Sequence, residues 1–434
     1  MIVRITLYSA PQFLIAFEFS VMTISVAALA AELGLAAPAV PLVFASYSLA
    51  FGGLLLAWGR GVDLLGARRC LIAGLVVFGV GIAGSAGATA TGVLLAARAV
   101  AGAGAAAMTP AGLAGMTAAF PAPGERRVAL AWYAAGISLG FVSGALAAGT
   151  IGQLAGWRAA VASTAVVATA ALVATIALTG REHPPRAGAR HARTGAGVLA
   201  VLAAVSASAV ICGFTTRLLP AAPAALGALL ASALGAAAWR RRPLVGRGKA
   251  PARLAPVIGG AAAVTATGVT GTLLLALYLR DVRLFTPMET AFMFAAFGIP
   301  ALAGHGVARL AAAQRGAPAV LAAGLALQGT ALALLAASIG IRSPVPVLVA
   351  AIAAFGAAHL VANTGVALCT ASAPDRSHGS VAALVATAQY MSGALGPSII
   401  VSTIAGHGGP GLAIAVAGAL AWAAGSIVRL AARA

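Results

Sequence analysis

Charged side chains are scarce in this sequence, and acidic side chains are the scarcest of them. Of the 434 residues, 8% are charged, and Asp and Glu together account for eight residues. A soluble domain carries about 25% charged residues, so the composition excludes a soluble globular protein. The hydrophobic fraction of 61% and the mean hydropathy of +1.02 indicate an integral membrane protein instead.

Cysteine is also rare, and no catalytic or nucleotide-binding pattern accompanies it. Cys70, Cys212 and Cys369 lie far apart, within or beside apolar runs, so they offer neither a metal-ligand spacing nor a disulfide framework. The sequence contains no P-loop and no nucleophile–base arrangement. We therefore expect no metal site, no ATP-driven pump and no membrane enzyme.

The net charge of +19 comes from 27 basic residues, which would favour a nucleic-acid partner if they shared one soluble face. They lie instead in short segments between apolar runs, so no nucleic-acid partner is expected. Because a bilayer span needs about 20 apolar residues, the runs predict fourteen transmembrane helices, near 7–31, 41–58, 70–89, 92–119, 128–151, 158–179, 195–213, 218–239, 255–279, 287–308, 317–338, 344–369, 379–403 and 410–430.

The basic residues also predict the orientation of the chain. Most of them fall on one side if both termini are cytoplasmic, and the opposite loops then hold Arg158, Arg217, Arg280, Arg283 and Arg342. Cytoplasmic loops carry the excess of Lys and Arg. This asymmetry predicts a multi-pass protein of the cell (inner) membrane with both termini in the cytoplasm.

A polar stretch between the second and third spans carries the first family resemblance. Its glycines, acid and basic pair follow the spacing of a loop signature, and the segment resembles that of the major facilitator superfamily of transporters. The resemblance implies a cytoplasmic gate, whereas the alternative is an ordinary basic loop that only orients the helices. The candidate gate residues are Gly59, Asp63, Gly66, Arg68 and Arg69.

Two charges lie inside predicted spans. Glu18 stands mid-span, where an acid costs about 2.5–3.5 kcal/mol on insertion scales, and the segment resembles the first helix of the fourteen-helix drug:proton antiporters. Arg98 is similar to the arginine of the superfamily's fourth-helix motif, which implies a role in proton coupling. The alternative for each residue is a structural pair with a neighbouring helix, and the sequence leaves open whether Glu18 and Arg98 meet.

A series of glycines marks the fifth span and resembles the antiporter motif of this branch. The motif's proline is replaced by Ala145 and another of its glycines by Ala148, so the direction of transport stays open. Small residues four apart let a neighbouring helix pack closely in any membrane bundle, which is the alternative explanation. The predicted helix-packing residues are Gly136, Gly140, Gly144 and Gly149.

Polar residues in the last spans are possible substrate contacts, namely His359, Asn363, Gln389 and Tyr390. An imidazole inside a span could serve as a second proton site, or it could be a neutral histidine bonded to a carbonyl group. Gln389 and Tyr390 could bind substrate, or they could satisfy each other's hydrogen bonds across helices.

The resemblance as a whole implies an all-α major facilitator fold in a six-plus-two-plus-six arrangement. Residues 1–180 would form the N-terminal six-helix bundle, residues 181–253 the basic linkers with two inserted helices, and residues 254–434 the C-terminal six-helix bundle. Each six-helix half would consist of inverted three-helix repeats around a central cavity.

The function implied is proton-coupled efflux of a small amphipathic compound (a drug, antibiotic or secondary metabolite) by alternating access. The expected partners are this substrate, protons and the lipid bilayer, with no cofactor beyond the proton gradient, and the protein would be a monomer. The alternatives are a proton symporter or uniporter for a small metabolite and, from another class, a non-transporting receptor or scaffold.

Overall fold

The computed structural model describes residues 1–36, 39–178, 254–340, 343–371, 378–400 and 406–433. The chain divides into two compact units, Met1–Ala228 and Leu229–Ala434. The two inserted helices predicted within 181–253, and the linkers that flank them, lie outside the described residues. The residues that are described form α-helices and no β-strand.

The first unit contains α1 (Ile2–Leu33), α2 (Val40–Leu65), α3 (Ala67–Ala86), α4 (Thr91–Ala119) and α5 (Pro123–Leu178). The second unit contains α6 (Leu254–Leu277), which continues into a π-helical turn (Tyr278–Val282), and then α7 (Pro287–Arg315), α8 (Ala317–Gly340), α9 (Val345–Ala371), α10 (His378–Ile400) and α11 (Gly406–Arg433).

Within the described ranges, eight helices are long and apolar enough to cross a membrane, or nine if α2, which bends by 52°, is one span. Helix α5 has 56 residues, a length of about 84 Å at 1.5 Å per residue, whereas a bilayer core is about 30 Å thick. Gly156 interrupts it with φ 80° and ψ 170°. Two spans therefore lie within α5, as predicted near 128–151 and 158–179, but the total of fourteen is not confirmed.

Single glycines make two of the sharpest turns between helices. Gly66 (φ 88°) separates α2 from α3, and Gly316 (φ 82°) separates α7 from α8. A positive φ is readily accessible to glycine. The polar stretch from Gly59 onward, expected to be a loop between the second and third spans, is mostly the end of α2, because Gly66 alone makes the turn and α2 continues to Leu65.

Backbone contacts at glycines hold α1 against α5 in the first unit. A Cβ atom on Gly140 would lie 2.2 Å from the carbonyl oxygen of Phe13, and one on Gly144 would lie 2.4 Å from that of Phe17. Gly136, one turn earlier, has more room, since its nearest neighbour, the carbonyl oxygen of Ser9, would be 3.5 Å away. Two of the glycines predicted to pack helices thus sit where no larger residue fits.

Glycines also allow close contacts between helices in the second unit. A Cβ atom on Gly356 of α9 would lie 2.0 Å from the carbonyl oxygen of Phe297 on α7, and one on Gly324 of α8 would lie 2.5 Å from the backbone of Ala362. Such small residues let helix backbones approach closely where lipid removes the hydrophobic drive for association. The helices of each unit are thereby fixed closely enough to bury polar side chains between them.

Candidate functional site

Glu18 and Arg98 meet in the core of the first unit. Glu18 projects from α1 and Arg98 from α4, and their side chains form an ion pair through Oε1 and Nη1. The two residues are 2% and 1% exposed, respectively. Two opposite charges that are removed from water together compensate each other's desolvation, whereas either one alone would not be compensated.

Arg98 has further partners on a third helix. Its Nε donates a hydrogen bond to the carbonyl oxygen of Val43 at 3.1 Å, and its guanidinium carbon lies 4.7 Å from the centre of the Tyr47 ring. Both partners belong to α2. Gly102, one turn after Arg98, allows this approach, because a Cβ atom there would lie 2.2 Å from the carbonyl oxygen of Tyr47.

The contacts of Arg98 join α1, α2 and α4 at one point. A guanidinium group has five N–H donors in a fixed planar fork, and it uses them here on a carboxylate and on a backbone carbonyl. The carbonyl oxygen of Val43 and the ring of Tyr47 contact the arginine independently of the charge on Glu18.

A second polar chain in the first unit was not predicted from the sequence. Gln12 donates to the hydroxyl oxygen of Tyr133 at 2.8 Å, and this hydroxyl donates to the carbonyl oxygen of Thr109 at 3.3 Å. The chain connects α1, α5 and α4. A glutamine inside an apolar run was the available signal, since buried amides require partners.

In the second unit, His359, Asn363 and Gln389 form one hydrogen-bonded chain. The Asn363 amide nitrogen lies 3.0 Å from His359 Nε2 and donates to the His359 carbonyl oxygen at 3.1 Å. Gln389 of α10 donates from Nε2 to Asn363 Oδ1 at 3.2 Å. Of the four predicted substrate contacts, three are thus joined by hydrogen bonds, and the fourth, Tyr390, is half-buried on α10.

The imidazole ring of His359 is enclosed by groups without charge. Its centre lies 6.1 Å from the ring of Phe297 and 6.2 Å from that of Phe355. A Cβ atom on Gly268 of α6 would lie 2.3 Å from the imidazole, so the absence of a side chain there makes room for the ring. Nδ1 is buried and has no hydrogen-bond partner among the described residues.

Gln328 of α8 is a further buried polar residue that the sequence did not single out. It is 0% exposed, and its amide donates to the carbonyl oxygen of Val264 at 3.1 Å and to the hydroxyl of Thr267 at 2.9 Å. These partners lie within the one helical turn that precedes Gly268 on α6. The segment 264–268 therefore receives polar side chains from two different helices.

The predicted gate residues lie at the junction of α2 and α3. Asp63 and Arg69 are exposed, and Arg68 is half-buried. Arg68 donates from Nη2 to the carbonyl oxygen of Ile176 near the end of α5, at 3.2 Å. Gly66 provides the turn, whereas Gly59 is helical and has nothing near its Cβ position. A role for this junction as a gate stays a prediction.

Glu32 connects three segments at the other end of α1. Its carboxylate accepts a hydrogen bond from Trp157 Nε1 at 2.6 Å and one from Arg158 Nη2 at 2.8 Å. Arg158 also donates to the carbonyl oxygens of Ala86 and Ala88, at 3.0 and 2.8 Å. The turn at Gly156 positions this pair, so the end of α1, the α3–α4 loop and the second half of α5 are tied together.

Within the described part of the chain, no group of three or more His, Cys, Asp or Glu side chains could hold a metal ion. Cys369 is a free thiol and is half-buried. The described residues instead form two ion pairs, Glu18–Arg98 and Glu32–Arg158, and several hydrogen-bonded chains between long apolar helices.

Comparison with known proteins identifies the family. A profile described as Major Facilitator Superfamily matches residues 11–397. The chain belongs to the major facilitator superfamily. The family match and the long apolar helices identify a multi-pass membrane protein of a transporter family.

Several relatives of this superfamily member carry names that refer to antibiotics. It is 36% identical to puromycin resistance protein pur8 of Streptomyces alboniger over 149 residues, and 38% identical to cephamycin export protein CmcT of Amycolatopsis lactamdurans over 147 residues. Each match covers 34% of this chain and 30% of the relative. The lincomycin resistance protein of Streptomyces lincolnensis is 28% identical over 331 residues, which are 73% of this chain and 66% of the relative.

Solved transporters share the fold of this superfamily member over nearly its whole length. A peptide transporter POT in complex with sulfate has a TM-score of 0.79 at 18% identity, covering 99% of this chain and 94% of that one. A POT family transporter in complex with 5-aminolevulinic acid has a TM-score of 0.80 at 15% identity, covering 99% and 95%. At this identity the likeness shows the fold, and it confirms the expected all-helical major facilitator architecture.

Proposed function

We propose that this chain is a secondary active transporter that exports a small amphipathic compound in exchange for protons, by alternating access. The names of its relatives, which refer to puromycin, cephamycin and lincomycin, support export of an antibiotic or a related metabolite. The buried Glu18–Arg98 pair is the observation that carries the coupling to protons.

Glu18 is buried among apolar side chains. A carboxylate in an apolar core is stable when it is paired with a cation or when it is neutralised by a proton. Ionised Glu18 forms an ion pair with Arg98, and protonated Glu18 does not. Because Arg98 is also held by Val43 and Tyr47, a proton can reach Glu18 without leaving the arginine with no contact.

Protonation of Glu18 would then change the packing of α1. It would weaken the attraction between α1 and α4, while α1 stays in close contact with α5 at Gly140 and Gly144. Helices α1 and α4 can therefore shift relative to each other when the proton binds. The junction at Asp63, Arg68 and Arg69 is the proposed cytoplasmic gate that responds to such a shift.

A proton symporter or a uniporter for a small metabolite is the second candidate. Ala145 and Ala148 replace residues of the antiporter motif in α5, and both are buried. The sign of proton movement separates the candidates. Protons move against the solute in an antiporter and with it in a symporter, and they do not move in a uniporter.

The decisive experiment uses proteoliposomes that contain a pH-sensitive dye, with puromycin, cephamycin C and lincomycin as solutes. For the wild type, an imposed solute gradient should drive protons in the opposite direction. Glu18→Gln should reduce this proton flux at least tenfold and still allow exchange of labelled solute. Glu125→Gln is the matched control, because Glu125 is exposed and should leave the flux unchanged.

The outcomes separate the parts of the proposal. Full proton coupling in Glu18→Gln would remove Glu18 from the mechanism and leave the transport function intact. Proton movement in the same direction as the solute would favour the symporter. Absence of any solute movement by the wild type, with all three solutes, would contradict the proposed substrate class.

A further inference from the structure

In the hydrogen-bonded chain of the second unit, the carbonyl oxygen of His359 determines which side-chain atoms donate and which accept. The Asn363 side chain lies one turn after His359 on α9 and faces the His359 carbonyl oxygen at 3.1 Å. A carbonyl oxygen can only accept hydrogen bonds. The atom of Asn363 that faces it must therefore be the amide nitrogen, because a turned-over amide would bring two oxygens together.

This orientation fixes the polarity of each later link. The same Asn363 nitrogen lies 3.0 Å from His359 Nε2, so Nε2 accepts a hydrogen bond there. Oδ1 of Asn363 points toward α10 and accepts from Gln389 Nε2 at 3.2 Å. Amide orientations are assigned from such networks, and here each link requires the next.

The side-chain oxygen of Gln389, Oε1, lies at the end of this hydrogen-bonded chain. Within the described part of the protein, Oε1 accepts no hydrogen bond, and Gln389 is half-buried. It stands at the middle of α10 (His378–Ile400). A polar group at that depth is costly in contact with lipid and characteristically faces the bundle interior or a solvated cavity, so this oxygen is available to a solute.

We propose that Gln389 Oε1 is a substrate-binding acceptor, and that it selects amphipathic solutes that carry an N–H or O–H donor, such as ammonium ions and hydroxyl compounds. Asn363 and His359 are positioning residues, which hold the Gln389 amide with its oxygen outward. Phe297, Phe355 and Gly268 enclose the imidazole and keep this anchor in place. The inference rests on the proposed transport function and names the substrate class.

The test compares solutes that differ in one donor. An aryl-alkyl dimethylammonium ion has one N–H group, whereas its trimethylammonium homologue has the same charge and none. A phenol and its methyl ether form a second, neutral pair. Binding of all four to the purified full chain is measured in detergent, without a proton gradient, by displacement of a radiolabelled dimethylammonium probe and by direct titration.

The wild type should bind the donor-bearing member of each pair about tenfold more tightly, the effect expected of one hydrogen bond to a charged or hydroxyl donor. Gln389→Met should bring the ratio close to one. Gln389→Glu keeps an acceptor oxygen and, when its carboxyl group is protonated, a donor to Asn363 Oδ1, so at a pH low enough to protonate it this variant should retain the preference. Gln314→Met is the control, since Gln314 is exposed on α7 and should leave the ratio at its wild-type value.

Three results would overturn the inference. They are equal affinities of the wild type within both pairs, a failure of the wild type to bind either donor-bearing member, and an unchanged preference in Gln389→Met. If Gln389→Met does not fold, loss of the preference in Gln389→Glu with its carboxyl group protonated overturns the inference in the same way. Binding is measured without a proton gradient, so the result does not depend on transport. If the wild type shows the donor preference but no proton-driven export, the proposed function is contradicted and the inference about Gln389 is not.

Discussion

Glu18 and Arg98 each depend on the other for their place in an apolar core. Removing one member of a buried ion pair costs about 3–5 kcal/mol, whereas replacing both with apolar residues of similar size is often neutral. We therefore expect Arg98→Met to unfold at a clearly lower temperature than the wild type in detergent. The double variant Glu18→Leu/Arg98→Met should recover most of the loss.

Thermal unfolding of the two single variants and the double variant provides the complete cycle. A strong positive coupling between the two positions is the expected result. If the losses of the single variants simply add in the double variant, the pair contributes nothing to stability. The same double variant should be inactive in proton-coupled transport, because it restores the packing of the core and not its titratable group.

At the residue scale, the sequence identifies which side chains are unusual and not which of them meet. Glu18 and Arg98 are conspicuous because each interrupts an apolar run. Their contact depends on the packing of α1 against α4, which joins positions 80 residues apart. The sequence cannot identify the carbonyl of Val43 as an acceptor, since every residue has a carbonyl group. Gln328 was not predicted to be a buried polar residue, because it is a single amide in an apolar helix.

At the element scale, the packing of α1 on α5 makes a prediction about two neighbouring glycines. A Cβ atom on Gly140 would meet the carbonyl oxygen of Phe13 at 2.2 Å, and a backbone atom cannot rotate away. Gly140→Ala should therefore lower stability by at least about 1–3 kcal/mol, as overpacking does. Gly136→Ala should be tolerated, because its nearest neighbour would be at 3.5 Å.

Purification yield and the unfolding temperature of the two variants in one detergent measure this difference directly. Equal stabilities would show that α1 and α5 can separate without loss, which would also weaken the mechanism proposed for Glu18. A selective loss of transport in Gly140→Ala at wild-type stability would indicate that the helices must slide and not merely touch.

The elements themselves were largely predictable from the sequence, and their ends were less so. Apolar runs of about 20 residues give a strong signal, because the bilayer sets a minimum length for each helix. The ends are set by local geometry that the runs do not encode. Gly66 and Gly316 turn the chain within one residue, so charged segments expected to be loops, such as the one that begins at Gly59, belong to helices.

At the scale of the whole molecule, both units bury polar side chains by tying them to main-chain carbonyls. Arg98 is held by Val43 in the first unit, and Asn363 is held by His359 in the second. A carbonyl inside a helix cannot move without its helix, so each anchor gives a side chain a fixed direction. The first unit thereby positions a titratable pair and the second unit a neutral amide, a division that fits proton binding in one and solute binding in the other.

The predicted number of spans is a property of the whole chain that a labelling experiment can test. If two helices lie near 195–213 and 218–239, the short segment between them faces the outside. Thr216→Cys should then react with a membrane-impermeant maleimide added to intact cells, and Ala189→Cys in the basic linker should not. The background is a chain in which alanine replaces the native cysteines, namely Cys70, Cys212 and Cys369.

Thr216→Cys distinguishes the competing topologies, because Ala189→Cys is cytoplasmic in both. If no helix crosses the membrane between 181 and 253, both cysteines stay on the cytoplasmic side and react only after the cells are opened. Because the segment then contributes no span, the six-plus-six bundle would remain and the total would be twelve. Labelling of both cysteines from outside would contradict the charge asymmetry itself, since a basic linker would then lie on the side that positive loops avoid.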